Sequence, residues 1–141
     1  IQVFATSARD GGITHLAAVG VSIAPSGPEN IVAVEPHPER IVILEPAQGA
    51  SISGGMVHVE GFGLASFEQH LLVEVYDEQG SLAGSQPVTV QSPEMGHPGP
   101  FSADVSYNVQ TAGAGRVVVR DPSPAFNGDV HLSSVEVRLE P

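Results

Sequence analysis

Six histidines and sixteen carboxylates in 141 residues supply acids, bases and metal ligands in quantity, so their spacing decides whether they form a site. His58 with Glu60, His70 with Glu68 and Glu74, and His131 with Asp129 stand two or four residues apart, a spacing that puts each set on one face of a strand. Zinc asks for three or four convergent ligands, and a solvated strand face is the plainer reading of each set. His37 and His97 fall in Pro-rich stretches. "DPSPAFNGD" offers Asp121, Asn127 and Asp129 as calcium candidates, but without the close oxygen spacing of an EF-hand loop, so a proline-rich loop is the plainer reading there too. No metal or cofactor is expected.

Nucleotide and hydrolase chemistry find no better footing. "GFGLAS", Gly61 to Ser66, is a broken Gly-x-Gly-x-x-Gly that follows a strand but opens no helix, so it reads as a turn. "AGAGR", ending at Arg116, reads as a flexible turn. No Gly-x-Ser-x-Gly elbow, His-Glu-x-x-His or Walker loop occurs. The chain is not expected to be an enzyme; that reading would need a clustered His/carboxylate pocket.

Composition narrows the partners. The net charge is −11, with five arginines and no lysine, which repels a phosphate backbone or an anionic bilayer unless a cation bridges them; nucleic acid is not expected as a partner. There is no cysteine, hence no disulfide framework or thiolate metal site. No apolar run approaches the roughly 20 residues of a spanning helix. The chain opens on Ile1 rather than Met, which points to a segment removed upstream, an export signal among the candidates.

The elements that must carry these residues are strands. Sixteen glycines, twelve prolines and abundant Val and Ile favour short strands and turns. Ile41–Glu45 and Met56–Gly61 are β-rich, and Phe67 to Tyr76 alternates, with Phe67, Leu71, Val73 and Val75 on one face. Asp77-Glu78-Gln79-Gly80 is a turn. Pro87–Gln91 suits an edge strand, since Pro87 has no amide to donate. Phe101 to Tyr107 alternates again, and Val117-Val118-Val119 suits a strand covered on both sides. In the last strand Val130 and Leu132 share one parity and Val135, Val137 and Leu139 the other, which a bulge near Ser133-Ser134 would reconcile. About seven strands with turns every 8–12 residues predict an all-β fold, an immunoglobulin-like β-sandwich; a jelly roll or small barrel would give a similar periodicity.

The stretches "IVILEPAQGASISGGMVHVEGFGLASFEQHLLVEVYDEQG", "GPFSADVSY" and "DPSPAFNGDVHLSSVEVRL" occur in this order between Ile41 and Leu139. Together they resemble the Gmad2-type immunoglobulin-like domain of bacterial spore-germination and other cell-envelope proteins, over about two-thirds of the chain. The resemblance implies an exported, non-catalytic sandwich used for binding or assembly, with no catalytic residues to carry over.

This divides the chain into residues 1–40, a β-rich N-terminal arm, and 41–141, the sandwich. The arm contains "IVAVEP", nearly repeating the "IVILEP" that opens the sandwich, and apolar runs at Ile1–Phe4 and Ile13–Ile23 that must be buried somewhere. Either the arm adds strands to its own sandwich, or it inserts into a neighbour's by donor-strand complementation, which does not close and so grows a filament. The second predicts an extracellular structural subunit at the cell surface, binding copies of itself head to tail. Its contacts would be Ile1, Val3, Phe4, Ile13, Leu16, Val19, Val21, Ile23, Ile31, Val32 and Val34. The alternative is a monomeric envelope module that binds a glycan or a protein.

Overall fold

A computed structural model of the chain describes residues 1–27 and 39–141. They form ten strands: β1 (Gln2–Thr6), β2 (Ile13–Ala18), β3 (Ile41–Glu45), β4 (Ser51–Ile52), β5 (Met56–Gly63), β6 (His70–Tyr76), β7 (Leu82–Thr89), β8 (Gly99–Ser106), β9 (Gly113–Pro122) and β10 (Asp129–Leu139). The larger sheet runs β1-β2-β10-β9-β6-β7, with β4 joined in parallel to β10; the smaller runs β3-β5-β8. The all-β, two-sheet immunoglobulin-like expectation holds, with no helix among the described residues.

The two sheets meet over an aliphatic core. Val57 and Val59 on β5, Leu71, Val73 and Val75 on β6, Phe101 and Val105 on β8, and Val117 and Val119 on β9 are all buried, as period-two alternation requires of facing strands. Val118, on the opposite side of β9, is buried as well, so the Val117–Val119 run is covered on both faces. Tyr107 closes one end: its hydroxyl stands 2.9 Å from the Ile52 carbonyl and 2.8 Å from that of Glu140, tying the short β4 and the C-terminal residues to the core. At Gly61, between β3 and Phe101, an added Cβ would fall 2.0 Å from the Val42 carbonyl, so only glycine lets these two strands approach.

Five local expectations are corrected. The first half of "GFGLAS" is strand and not turn: β5 runs on through Gly63, and Gly61, Phe62 and Gly63 pair with both β3 and β8. β6 begins at His70, and Phe67 is exposed, because Glu68 and Gln69 take positive φ values of 47° and 59° that break the extended run before it starts. "AGAGR" is largely strand: β9 begins at Gly113, and Gly115 is buried under Leu139, where a Cβ would come within 2.6 Å of the leucine. The irregularity in β10 lies between Asp129 and His131, not at Ser133-Ser134. Leu132 has the wrong parity for the core because it lies opposite Leu16 of the arm, on the other face of the sheet. The edge strand starts at Leu82 rather than Pro87, although it is the edge of its sheet as expected.

The arm shows the largest difference. β1 and β2 form a hairpin, and β2 pairs antiparallel with β10 of its own chain: His131 opposite Ala17, Leu132 opposite Leu16, Ser133 opposite His15. Insertion of the arm into a neighbour's sandwich is therefore not supported. The physical reason is proximity: the chain between Ala18 and Ile41 tethers β2 beside the β10 edge, and a tethered strand competes at a high effective concentration against any second molecule. The repeated phrase with Ile31, Val32 and Val34 lies outside the described residues, as does His37.

Candidate functional site

The hairpin and its surroundings hold the most distinctive chemistry of the surface. Its turn is built by short-range bonds: the Ser7 amide donates to the Gly12 carbonyl at 2.8 Å, the Gly11 amide to Ser7 O at 3.0 Å, and the Gly12 amide to Asp10 Oδ1 at 2.9 Å. Gly11 takes φ 73°, which a side chain would resist. The turn thereby aims Asp10 at β9, where an Arg116 nitrogen lies 2.6 and 2.7 Å from the two carboxylate oxygens. Hydrogen bonding to this guanidinium, helped by the Gly12 amide, draws the Asp10 pKa from 3.8 to about 2.

Arg116 is the centre of a wider clamp. It reaches Glu136 of β10 at 3.2 Å and donates to Ser134 Oγ at 2.9 Å, and that hydroxyl donates to the Ile13 carbonyl at 2.7 Å. Arg9 reaches the other Glu136 oxygen at 3.3 Å, and the Ser7 hydroxyl also bonds Glu136. The side chains of Arg116 and Glu136 are only 11% and 9% exposed, so the pair is largely removed from water and its members depend on one another. A second arginine on the same face of β9, Arg120, lies between Glu74 (3.0 Å) and Asp129 (3.2 Å), and Tyr76 donates to Glu74 at 2.9 Å. The Arg116 group, two arginines against two carboxylates, anchors the arm to β9 and β10, while Arg120, one arginine against two carboxylates, joins β6, β9 and β10.

On its other face the hairpin overhangs the smaller sheet, which ends at β3. Between them lies a cleft of about 550 Å³, walled by Val3, Ala5, Ala17, His131, Arg40 and Ile41 and crossed by a His15–Glu39 contact of 2.7 Å. Burial lowers the His131 pKa, with Arg40 adding to the effect. Opposite His131 in the β9–β10 ladder, Asp121 is almost wholly buried; it accepts from the Ser66 amide at 3.0 Å through one oxygen, and desolvation raises its pKa.

The residues singled out in the sequence distribute as follows. Val3 and Phe4 lie on β1 and Ile13 and Leu16 on β2, all in the hairpin, while Val19, Val21 and Ile23 follow it, exposed and outside any strand. Of the calcium candidates, Asp121 serves Ser66, Asp129 faces Arg120 and Asn127 is exposed in the loop; among the described residues no three His or carboxylate groups converge on a metal position. His58 is held between Asp104, 2.7 Å from Nδ1, and Glu60, 3.7 Å from Nε2. Both of its ring nitrogens therefore face carboxylates, Asp104 foremost, which raises its pKa. His97 contacts Glu94 at 3.6 Å in an exposed loop, and His70 faces Thr89 at 3.3 Å on the exposed side of the β6–β7 edge.

Arg116, Glu136, Ser134 and Asp10 were not visible as a set from sequence. The Asp10-Gly11-Gly12 turn was a signal for the hairpin, but nothing in the local pattern connects it to an arginine on β9.

A search of the curated proteins finds no match. Residues 40–127, from just before β3 to the loop that precedes β10, match the family described as Gmad2, immunoglobulin-like domain of bacterial spore germination. With well over half its length matched, and with a two-sheet immunoglobulin-like fold over those residues, the chain belongs to the Gmad2 family.

Proposed function

We propose that this chain is a non-enzymatic binding module of the bacterial cell envelope, and that the cleft between the N-terminal hairpin and β3 is its recognition surface. The observation that carries the reading is the overhang itself. Two added strands extend one sheet beyond the other, leaving apolar Val3, Ala5 and Ala17 opposite the outer edge of β3, with which no strand pairs among the described residues. An extended peptide laid there would find main-chain partners on β3 and small apolar pockets on the hairpin, the pattern of recognition by strand addition. Family membership supports the location and the non-catalytic character: the family is described by spore germination, and immunoglobulin-like domains of this kind typically bind or assemble. A protein ligand is favoured over a glycan, because the described residues of the cleft include no Trp or Tyr, and Phe4 alternates onto the opposite face of β1 from Val3 and Ala5, whereas carbohydrate stacking relies on aromatic platforms.

The finer expectation, a surface filament built by donor-strand insertion, would require the hairpin to leave β10 and take the same place on a neighbour. The exchange would remake the same Arg116 contacts on the neighbour, so what opposes it is the tether that keeps the hairpin beside its own β10.

The test is co-sedimentation of the 1–141 chain with isolated envelopes of a spore-forming bacterium, beside an Ala17→Arg variant that fills the cleft from an exposed position. The reading requires the parent chain to sediment and the variant to remain in solution. Equal behaviour of the two chains would remove the cleft as the binding surface.

A further inference from the structure

Beyond binding in the cleft, we infer that β1 is a self-complementary edge through which two copies of this chain pair about a two-fold axis. The hydrogen-bond pattern fixes which groups are available. Ile1 and Val19 exchange both main-chain bonds, the Ile1 nitrogen donating to Val19 O at 2.8 Å and the Val19 amide to Ile1 O at 2.9 Å. Antiparallel ladders alternate, so Val3 and Ala5 also turn their main-chain groups toward β2, while those of Gln2 and Phe4 point away from it; the ladder shifts register between Ala5 and Thr6, and the Ser7 amide bonds back to Gly12, which leaves Thr6 pointing away as well. Among the described residues nothing pairs with this side of β1.

The strand reads Gln2-Val3-Phe4-Ala5-Thr6, and every residue of it is exposed. Centred on Phe4, an antiparallel copy sets Phe4 against Phe4, Gln2 against Thr6 and Val3 against Ala5. All three outward-pointing residues then find hydrogen-bonding partners, two aromatic rings meet on one face and a large apolar side chain meets a small one on the other. Registers centred on Val3 or Ala5 overlap fewer residues of the strand and leave outward groups unpaired.

Charge selects the same surface. Two copies that each carry −11 repel over most approaches, yet Ile1 to Ala8 contains no ionisable side chain. The carboxylates beside it, Asp10 and Glu136, are balanced by Arg116 and Arg9. Edges are normally protected by charge, proline or a bulge. The opposite edge of this sheet, β7, carries Pro87 and an extra residue at Ala83, whereas β1 carries neither proline nor charge, its ladder's one irregularity places the extra residue, Thr14, on β2, and Val3 and Phe4 are 70% and 58% exposed. A two-fold contact uses one patch on both partners and closes, so it yields a dimer and no filament.

The chain has no cysteine, which makes site-directed cross-linking clean. In the Phe4-centred register the two Phe4 Cα atoms stand about 5.5 Å apart, within disulfide range, while the two Gln2 positions are separated by about 14 Å. Under mild oxidation of the 1–141 chain, Phe4→Cys is expected to give at least tenfold more covalent dimer than Gln2→Cys. In sedimentation velocity the parent should associate as its concentration rises, and Phe4→Glu, which places like charges on the axis, should remain monomeric. Equal cross-linking of the two cysteine variants, or a parent chain that stays monomeric into the millimolar range, overturns the inference. Neither readout involves envelope binding, so it stands or falls separately from the cleft.

Discussion

Asp10 and Arg116 are 106 residues apart in sequence and meet at 2.6 Å, the one at the tip of the N-terminal hairpin and the other in the centre of the large sheet. This contact, extended through Glu136 and Ser134, makes the hairpin part of the sandwich in spite of a β2–β10 ladder only three residue pairs long.

Removal of the guanidinium leaves the buried Glu136 with only the half-exposed Arg9 as its cation, so Arg116→Ala is expected to cost about 2 kcal/mol, below the range for a buried pair broken outright. Asp10→Ala removes a more exposed partner and should cost about 1 kcal/mol or less. Chemical denaturation of the two variants, with hydrogen exchange at Leu16 and Ala17 as the local readout, checks both size and order.

Acid should release the hairpin before it unfolds the core. The Asp10 pKa is lowered from 3.8 to about 2 in the folded chain, so its contribution is fully present above about pH 4 and is lost as the pH falls through about 2. Amide exchange in β1 and β2 should accelerate across that window, ahead of exchange at Val73 and Val119. Asp10→Asn should abolish this step.

At Gly61 an added methyl group would collide with the Val42 carbonyl at 2.0 Å and with the Phe101 ring at 2.7 Å. Backbone and a packed aromatic cannot both yield, so Gly61→Ala is expected to destabilise by about 3 kcal/mol or more. Gly20, where a Cβ meets nothing within 4 Å, should accept alanine with no measurable change in melting temperature.

His58 should titrate above its usual 6.5, because Asp104 and Glu60 both favour the imidazolium. Its stabilising contribution is complete below pH 6.5 and disappears as the pH rises through the elevated value. NMR titration of the ring protons reads the midpoint, and Asp104→Asn should bring it back toward 6.5.

The legible part of the fold was the part written in local alternation. Val117-Val118-Val119, the Asp77–Gly80 turn and the edge strand at Pro87 needed only period-two patterning and turn chemistry, and the sandwich followed from them. Phe67 was misplaced because hydrophobic alternation does not register the left-handed backbone at Glu68 and Gln69. Leu132 suggested a bulge because its partner, Leu16, is more than a hundred residues away. The same limit hid the site. Val3, Phe4 and Leu16 were identifiable as apolar residues in need of cover, but the choice between this chain's β10 and a neighbour's depends on tethering, which leaves no mark in local sequence.

The central claim, that the arm completes its own sandwich, is tested most directly by a Leu16→Cys/Leu132→Cys double variant, since these positions face each other across β2 and β10. Non-reducing mass analysis after oxidation should show an intrachain disulfide and a monomer. A ladder of disulfide-linked chains in place of the monomer would show the arm pairing with a neighbour and would contradict the account.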